Sequence, residues 1–392
     1  MRVLIVGAGL VGTVYGAHLA AAGSTVSVLS HGPRTDEVAA GGLSARDVLS
    51  RVRTDAQTAV VPDASGEYDI VLVAVRREQL TSACGGLVGL AGKPAIVFFG
   101  NNPTGRAAIT GDMPGDVYLG FPGVGGVMAS GTADYVRIRQ QPTALPKTSD
   151  PRVAGLESAL SGRGFAVQRV TDMDGWLAYH AAFVACIAAA LYRCGTDPVR
   201  LAADRTTLTL MCQAITEAFA ALRTSGTAGL ARNLAVLHSP LLRSVAVRYW
   251  ARAMRSPMGE LCFAAHCRHA DAEMRALGRD VSGQITDSPA LAELLHPLTR
   301  AHAGGSSHRR RLRARREAST IEANCGGSMI GRPRQGDMLV RSASAETIRN
   351  APTAAARSRI RLSAQSGQSP TVCGGSVMPP PDASAISASA RR

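Results

Sequence analysis

Residues 1–30 read MRVLIVGAGLVGTVYGAHLAAAGSTVSVLS. Val3, Leu4, Ile5 and Val6 form a short apolar, mostly β-branched run, the pattern of a strand covered on both faces. Gly7, Gly9 and Gly12 follow at once as G-x-G-x-x-G, and an alanine-rich helical pattern runs from them to Gly23. Each glycine meets a physical need: a tight turn at Gly7, close approach of the backbone to a pyrophosphate at Gly9, and packing of helix against strand at Gly12. The helix that begins at Leu10 and Val11 turns its unpaired N–H groups and positive dipole end toward the same spot. A second apolar strand, Thr25–Leu29, completes the opening of a βαβ unit. Strand, glycines, helix and strand in this order predict a dinucleotide site of the Rossmann type rather than a glycine-rich turn without a ligand.

The segment after that second strand, SHGPRTDEV at 30–38, is where such a domain selects its cofactor. An acid at the strand end would hold the ribose 2′-hydroxyl of NAD, but Ser30, His31 and Gly32 stand there. Arg34, just beyond, can pair with a 2′-phosphate, which favours NADP(H). Asp36 and Glu37 in the same loop keep NAD as the alternative, and for Arg34 a solvated loop charge is the plain reading.

Further along, 68–75 (YDIVLVAV) reads as a buried strand that runs into Arg76, Arg77, Glu78 and Gln79. Residues 95–99 form another strand, closed by the turn GNNPTG, and 117–121 one more, followed by PGVGG. The runs 135–138 and 165–170 read as later strands closing this domain. Ligands of open α/β sheets gather beyond the carboxyl ends of the strands, so Arg76, Gln79 and Asn101 are the candidates there. Asn101 either contacts nicotinamide or substrate, or holds its turn through an Asx bond.

From Asp172 long helical patterns take over: 172–195 with an Asp cap and Gly195 as stop, 205–225, 239–256 and 258–277, with DSPALAELLHPL at 287–298 as the last. The reading is a nucleotide-binding α/β domain over 1–171 and a helical substrate and dimerisation domain over 172–300, with the substrate cleft between them. Residues 301–392 are an Arg-, Ser-, Gly- and Pro-rich tail without sustained period, disordered by composition.

Charge follows the same division. From His302 onward there are 15 Arg and no Lys against five acidic residues, so the tail holds +10 of the net +14 and the body is only mildly basic. No aromatic residues interleave the Arg run at 309–316, and a solvated extension is expected there rather than a nucleic-acid site. The eight cysteines show no CxxC pair, and several sit inside apolar helical patterns, so free thiols in a reducing cytoplasm are expected. The chain enters its first strand with no leader pattern. The longest apolar run, 181–191, is short for a bilayer span and reads as a core helix.

These pieces, in this order, resemble the ketopantoate reductase (2-dehydropantoate 2-reductase) family. The resemblance is carried by GAGLVG with Gly16, the GGL at 41–43, YDIVLVAVR with Gln79, the FFGNNPTG turn, DGW opening a helix, SPM at 256–258 and Glu273 in AEMRALG. It covers residues 1–280 and is tightest over the first 125. It implies a Rossmann domain, a helical domain that can dimerise, NADPH as hydride donor and a branched 2-keto acid as substrate. By the same resemblance Gly7, Gly9 and Gly12 hold phosphate, Arg76 stands where the family has a Lys near cofactor and substrate, and Asn101 matches the active-site Asn with Asn102 as rival. Ser256 and Glu273 match substrate-binding positions, with a longer interval between them than the family has.

The departure lies after Trp176. The family pattern there is W-x-K-x-x-x-N, its Lys donating the proton, and this chain has Ala178 and Ala182 instead. Alanine can neither donate a proton nor meet alkoxide charge. His180 stands about 200° around the helix from Ala178, so it and Tyr179 read as packing residues. Cys262, His266, His269 and Glu273, at i, i+4, i+7 and i+11, read as one helix face packed between domains, with Glu273 reaching substrate and no metal held. The sequence thus predicts an NADP-dependent reductase of a keto acid with altered catalytic residues. A non-catalytic NADP-binding or sensing protein is the alternative that Ala178 and Ala182 leave open.

Overall fold

The computed structural model describes residues 1–109 and 113–299. The basic tail therefore lies outside the described residues. The first half holds strands β1 (Arg2–Val6), β2 (Thr25–Leu29), β3 (Leu43–Asp47), β4 (Arg53–Ala56), β5 (Ala59–Val60), β6 (Ile70–Val73), β7 (Ala95–Phe99), β8 (Asp116–Gly120), β9 (Val124–Ala129), β10 (Thr132–Arg137), β11 (Thr143–Pro146) and β12 (Val167–Val170). Helices α1 (Leu10–Ala21), α2 (Pro33–Gly41), α3 (Leu80–Gly86) and α4 (Pro151–Gly162) are interleaved with them. The rest is helical: α5 (Met173–Arg193), α6 (Pro198–Ala203), α7 (Arg205–Thr224), α8 (Arg232–Leu237), α9 (Arg243–Met254), α10 (Ala265–His269), α11 (Asp271–Gln284) and α12 (Pro289–Thr299).

Six strands make one parallel sheet in the order β5-β2-β1-β6-β7-β8. Counting only these six, the spatial order is third, second, first, fourth, fifth, sixth, the doubly wound arrangement of dinucleotide-binding domains. β1 shows why its run is continuously apolar: Val3 and Ile5 join the core beneath α1, while Leu4 and Val6 join the core on the opposite face with Trp176 and Leu177. The α/β-then-helical architecture expected from the pattern is thus the architecture observed.

A second sheet, β4-β3-β10-β9, and a two-stranded parallel pair, β11-β12, complete this half, and the runs 135–138 and 165–170 that read as later strands of the domain contribute to them. Both runs contain strands, but neither pairs with the parallel sheet. β3, β4 (LSARD and RTDA) and the glycine-rich β9 were not among the strands read from the sequence, β3 and β4 being short and polar.

The helix expected over 172–195 runs from Met173 to Arg193, capped by the Asp172 carboxylate, which accepts from Gly175 N. By length and composition α5 is apolar enough to cross a membrane, and 83% of its apolar window is buried against protein. Its core residues pack with α7, α9, α11 and α12 around Cys186, Met211, Ile215, Leu277 and Leu294. The helix expected over 258–277 is not continuous. A π-helical stretch, Gly259–Ala264, leads into α10, and Ala270 (φ −127°, ψ 38°) breaks the helix before α11. Likewise 239–256 begins with a 3-10 turn, Pro240–Leu242, before α9.

Candidate active site

The glycine loop joins β1 to α1. Gly7 has φ +97°, and a Cβ there would lie 2.8 Å from both Ala74 O and Val75 Cγ1. A Cβ on Gly12 would lie 1.9 Å from Gly7 O, so only glycine lets the helix start this close to the turn. Gly9 is the opposite case, with nothing within 4 Å of a Cβ and the residue exposed. Gly9 is also the N-cap of α1 and supplies no side-chain cap, while its carbonyl accepts from Thr13 N at 2.9 Å. Among the described residues the N–H groups of Leu10, Val11 and Gly12 find no acceptor outside the helix. Packed glycines on both sides of an open one, over unpaired donors at the positive helix end, fit a dinucleotide pyrophosphate.

Arg34, at the start of α2, lies beside this loop. Its Nε donates to Ala8 O at 3.1 Å, its Nη1 to Glu37 Oε2 at 2.5 Å and its Nη2 to Thr13 Oγ1 at 3.4 Å. The guanidinium is therefore fixed against the glycine turn rather than free in solvent. Asp36 lies in the first turn of α2, and it is Glu37 that pairs with the arginine.

All carboxyl ends of the parallel strands open on one edge. Arg76, just past β6, is exposed, and its backbone N–H is bonded by Gln79 Oε1 at 3.2 Å. Asn101, just past β7, is 9% exposed, and its Nδ2 donates to Glu273 Oε1 of α11 at 3.3 Å. Its side chain thus reaches across to α11 instead of closing an Asx turn. The turn is held by Asn102, whose carbonyl accepts from Gly105 N at 3.1 Å. Asn101 Oδ1 is buried and has no partner, a cost of about 1–3 kcal/mol unless a ligand supplies the donor.

Residues that sequence reasoning missed complete this seam. Arg77 Nη2 lies 2.6 Å from Asp280 Oδ2, an ion pair by distance although no N–H points along it. Gln284 Nε2 donates to Pro103 O at 3.0 Å. Glu273, Asp280 and Gln284 are spaced by seven and four residues, so one face of α11 binds the loops after β6 and β7. That polar spacing on the helix was the available signal.

Ala178 is half-buried and lines an open cleft of about 580 Å³ with Gly105, Arg106, Asp174 and Thr227. Asp174 accepts from Arg106 N at 2.5 Å, tying the turn after β7 to the start of α5. Ala182 is fully buried in the helical core and does not reach this cleft. Tyr179 donates its hydroxyl to Thr227 O at 2.9 Å. His180 is 3% exposed, stacks on Trp176 at 4.9 Å and 6°, and packs on Phe121 at 4.2 Å; burial drives its pKa down to about 3. Neither side chain replaces the Lys.

Ser256 donates its hydroxyl to Ala253 O at 2.6 Å, so it caps α9 and is not joined to Asn101 or Glu273 by any hydrogen bond among the described residues. The single face expected for Cys262, His266, His269 and Glu273 is also corrected, because the π-helical stretch and the break at Ala270 divide it. Cys262 packs on Gly125 of β9, and His269 is exposed with Nδ1 against Ala265 O at 2.7 Å. His266 lies in α10, before the break, and Glu273 in α11, after it. Burial lowers the His266 pKa and Arg76 and His269 reinforce that, while the Glu273 carboxylate opposes it. Among the described residues no three His, Cys, Asp or Glu gather as a metal site.

Residues 3–121 match the family model described as ketopantoate reductase PanE/ApbA, so the resemblance carried by the motifs is borne out over the nucleotide domain. No curated protein matches the chain. Among solved structures, a PanE/ApbA family ketopantoate reductase from Ralstonia eutropha JMP134 superposes with TM-score 0.60 at 21% identity, covering 76% of this chain and 97% of that one. A probable 2-dehydropantoate 2-reductase from Bacillus subtilis gives TM-score 0.56 at 18% identity over 76% and 99%. D-mandelate dehydrogenase, in a ternary structure with NADH and anilino(oxo)acetate, gives 0.58 at 14% over 76% and 98%. At these identities the superpositions establish a shared fold.

Proposed function

We propose that this chain, whose first domain carries the ketopantoate reductase pattern, is a nicotinamide-dependent oxidoreductase that interconverts a 2-keto acid and its 2-hydroxy acid, with NADP(H) as cofactor. One observation supports the reading above all. The glycine cradle and the buried, half-satisfied Asn101 lie at the same carboxyl edge of the sheet, where a cofactor and its substrate meet in this fold. When bound, the nicotinamide supplies or receives the hydride. The chain's own residues do the rest: Gly7, Gly9 and the first turn of α1 hold pyrophosphate, Arg34 meets the 2′-phosphate, Asn101 and Arg76 orient the reacting end, and Glu273 fixes Asn101.

Titration with NADPH tests it. Wild-type chain should bind in the micromolar range, and Gly9→Asp, which puts a carboxylate into the open space, should weaken binding at least a hundredfold. Absence of NADPH binding at millimolar concentration ends the proposal. The second reading, a cofactor-binding or sensing protein without turnover, rests on Ala178, which brings no proton donor to the cleft. NADPH binding without reduction of 2-dehydropantoate, phenylglyoxylate or other 2-keto acids would favour it.

A further inference from the structure

Thr216, Phe219, Ala220 and Arg223 stand at i, i+3, i+4 and i+7 on α7, which places them on one face of the helix. That face is only partly closed: Phe219 is buried, whereas Ala220 and Arg223 are exposed. The chain from Thr227 to Pro240 supplies a second wall. Between the two lies a cavity of about 470 Å³, the size of a small-molecule site, with mostly apolar sides to which Tyr179 and Leu230 also contribute.

This cavity is not the cleft at Ala178. Ala178 and Tyr179 are neighbours on α5, about 100° apart around the helix, and each lines one of the two spaces. Thr227 is the residue the two share, and the partition there is backbone packed on backbone. A Cβ on Gly175 would lie 2.2 Å from Ala228 O, and one on Gly229, at φ +91°, would lie 2.6 Å from Trp176 N. The Tyr179 hydroxyl ties the same loop down by donating to Thr227 O at 2.9 Å.

Charge and unmet donors indicate what the cavity takes. Its lining includes one arginine, Arg223, and no acid. The surrounding sequence, 218–259, has six arginines and no Asp, Glu or Lys. Arg223 enters none of the ion pairs among the described residues. His238, also in the lining, is buried, and its Nε2 accepts from Trp250 Nε1 at 3.4 Å. The neutral ring therefore holds its proton on Nδ1, which is buried without a partner. The walls thus leave two donors unmet, an exposed guanidinium and a buried imidazole N–H, and offer no carboxylate to either.

We infer that this cavity is a second small-molecule site, separate from the cofactor cleft, and that it takes a small monocarboxylate with an aryl or branched apolar body. The carboxylate pairs with the Arg223 guanidinium, and the body lies against Phe219, Ala220 and Leu230. An inorganic anion would meet the arginine and leave the apolar walls unused, so the class is an amphipathic acid.

Calorimetric titration of the full chain with phenylacetate and with isovalerate tests the site, since neither acid offers a ketone for hydride. At least one should bind with a Kd of about 1 mM or tighter, and saturating NADPH should leave that Kd within about twofold. Phenylacetamide, which keeps the shape without the charge, and inorganic phosphate, which keeps the charge without the body, should each bind at least about tenfold more weakly. Arg223→Gln should weaken the acid at least about tenfold and leave the amide unaffected. Ala220→Phe fills the cavity from an exposed position and should abolish binding, with both variants keeping the wild-type Tm. Absence of binding by either acid at about 10 mM overturns the site. So does binding that either variant leaves unchanged, equal affinity for acid and amide, or displacement by NADPH, which would put the acid in the cofactor cleft. A chain that binds the acid but not NADPH would overturn the reductase reading and leave this site standing.

Discussion

Ala178 and Ala182 stand one helical turn apart on α5 yet meet different surroundings, Ala178 at the open cleft and Ala182 in the core. The motif that the family reads along one helix face is here divided between a solvent-lined and a packed position. Ala178→Lys should therefore change stability by no more than about 0.5 kcal/mol, whereas Ala182→Asn should cost about 2–4 kcal/mol through overpacking and a buried amide, as urea denaturation would show. Arg34 permits a prediction of the same grain. Arg34→Ala should weaken NADPH binding about ten- to a hundredfold and leave NADH nearly unchanged, so a comparison of the two Kd values decides whether the arginine reads the 2′-phosphate. Asn101 and Glu273 were both named from their motifs, but their hydrogen bond was not legible, because 172 residues separate them and only the folded helix α11 closes the gap.

The elements that the sequence made plain are those whose pattern has one physical reading. β1, β7 and α5 are continuous apolar runs with clear stops, and each was expected within two residues of where it lies, apart from fraying at the ends. The second sheet was invisible because LSARD and RTDA owe their strand form to pairing with β10 and to each other, a tertiary effect that local propensity does not carry. α11 is the element on which the seam depends. Its Asp280 meets Arg77 with side chains 27% and 22% exposed, a partly screened pair. Arg77→Ala should cost about 1 kcal/mol in global stability, and hydrogen exchange should show faster opening of the loop after β6 than of the distant α12.

Among the described residues, the three fully buried histidines are held neutral in the interior. Burial lowers His18 to about 4, His180 to about 3 and His238 to about 4, from an ordinary value near 6.5. The unfolded chain takes up protons at these sites below about pH 6.5 and the folded chain does not until near pH 3–4, so their contribution is complete above 6.5 and is lost as pH falls through that window. Each tenfold separation in proton affinity is worth about 1.4 kcal/mol. Thermal melting between pH 7 and 4 should show Tm falling steadily, and His180→Phe, which keeps a ring against Trp176, should flatten the slope. A flat Tm for the wild-type chain would show that these rings titrate normally.

The aromatic packing around those histidines has a spectroscopic consequence. The chain has two tryptophans, and each is in contact with one of the three histidines: Trp176 stacks on His180, and Trp250 Nε1 points to His238 Nε2 at 3.4 Å. A neutral imidazole is a weak quencher of indole emission and an imidazolium a strong one. All intrinsic tryptophan fluorescence therefore originates beside a proton-accepting ring, one indole against the sheet and one inside the helical bundle. Single-tryptophan variants would turn the two halves into separately readable acid sensors, built into the chain without any added dye.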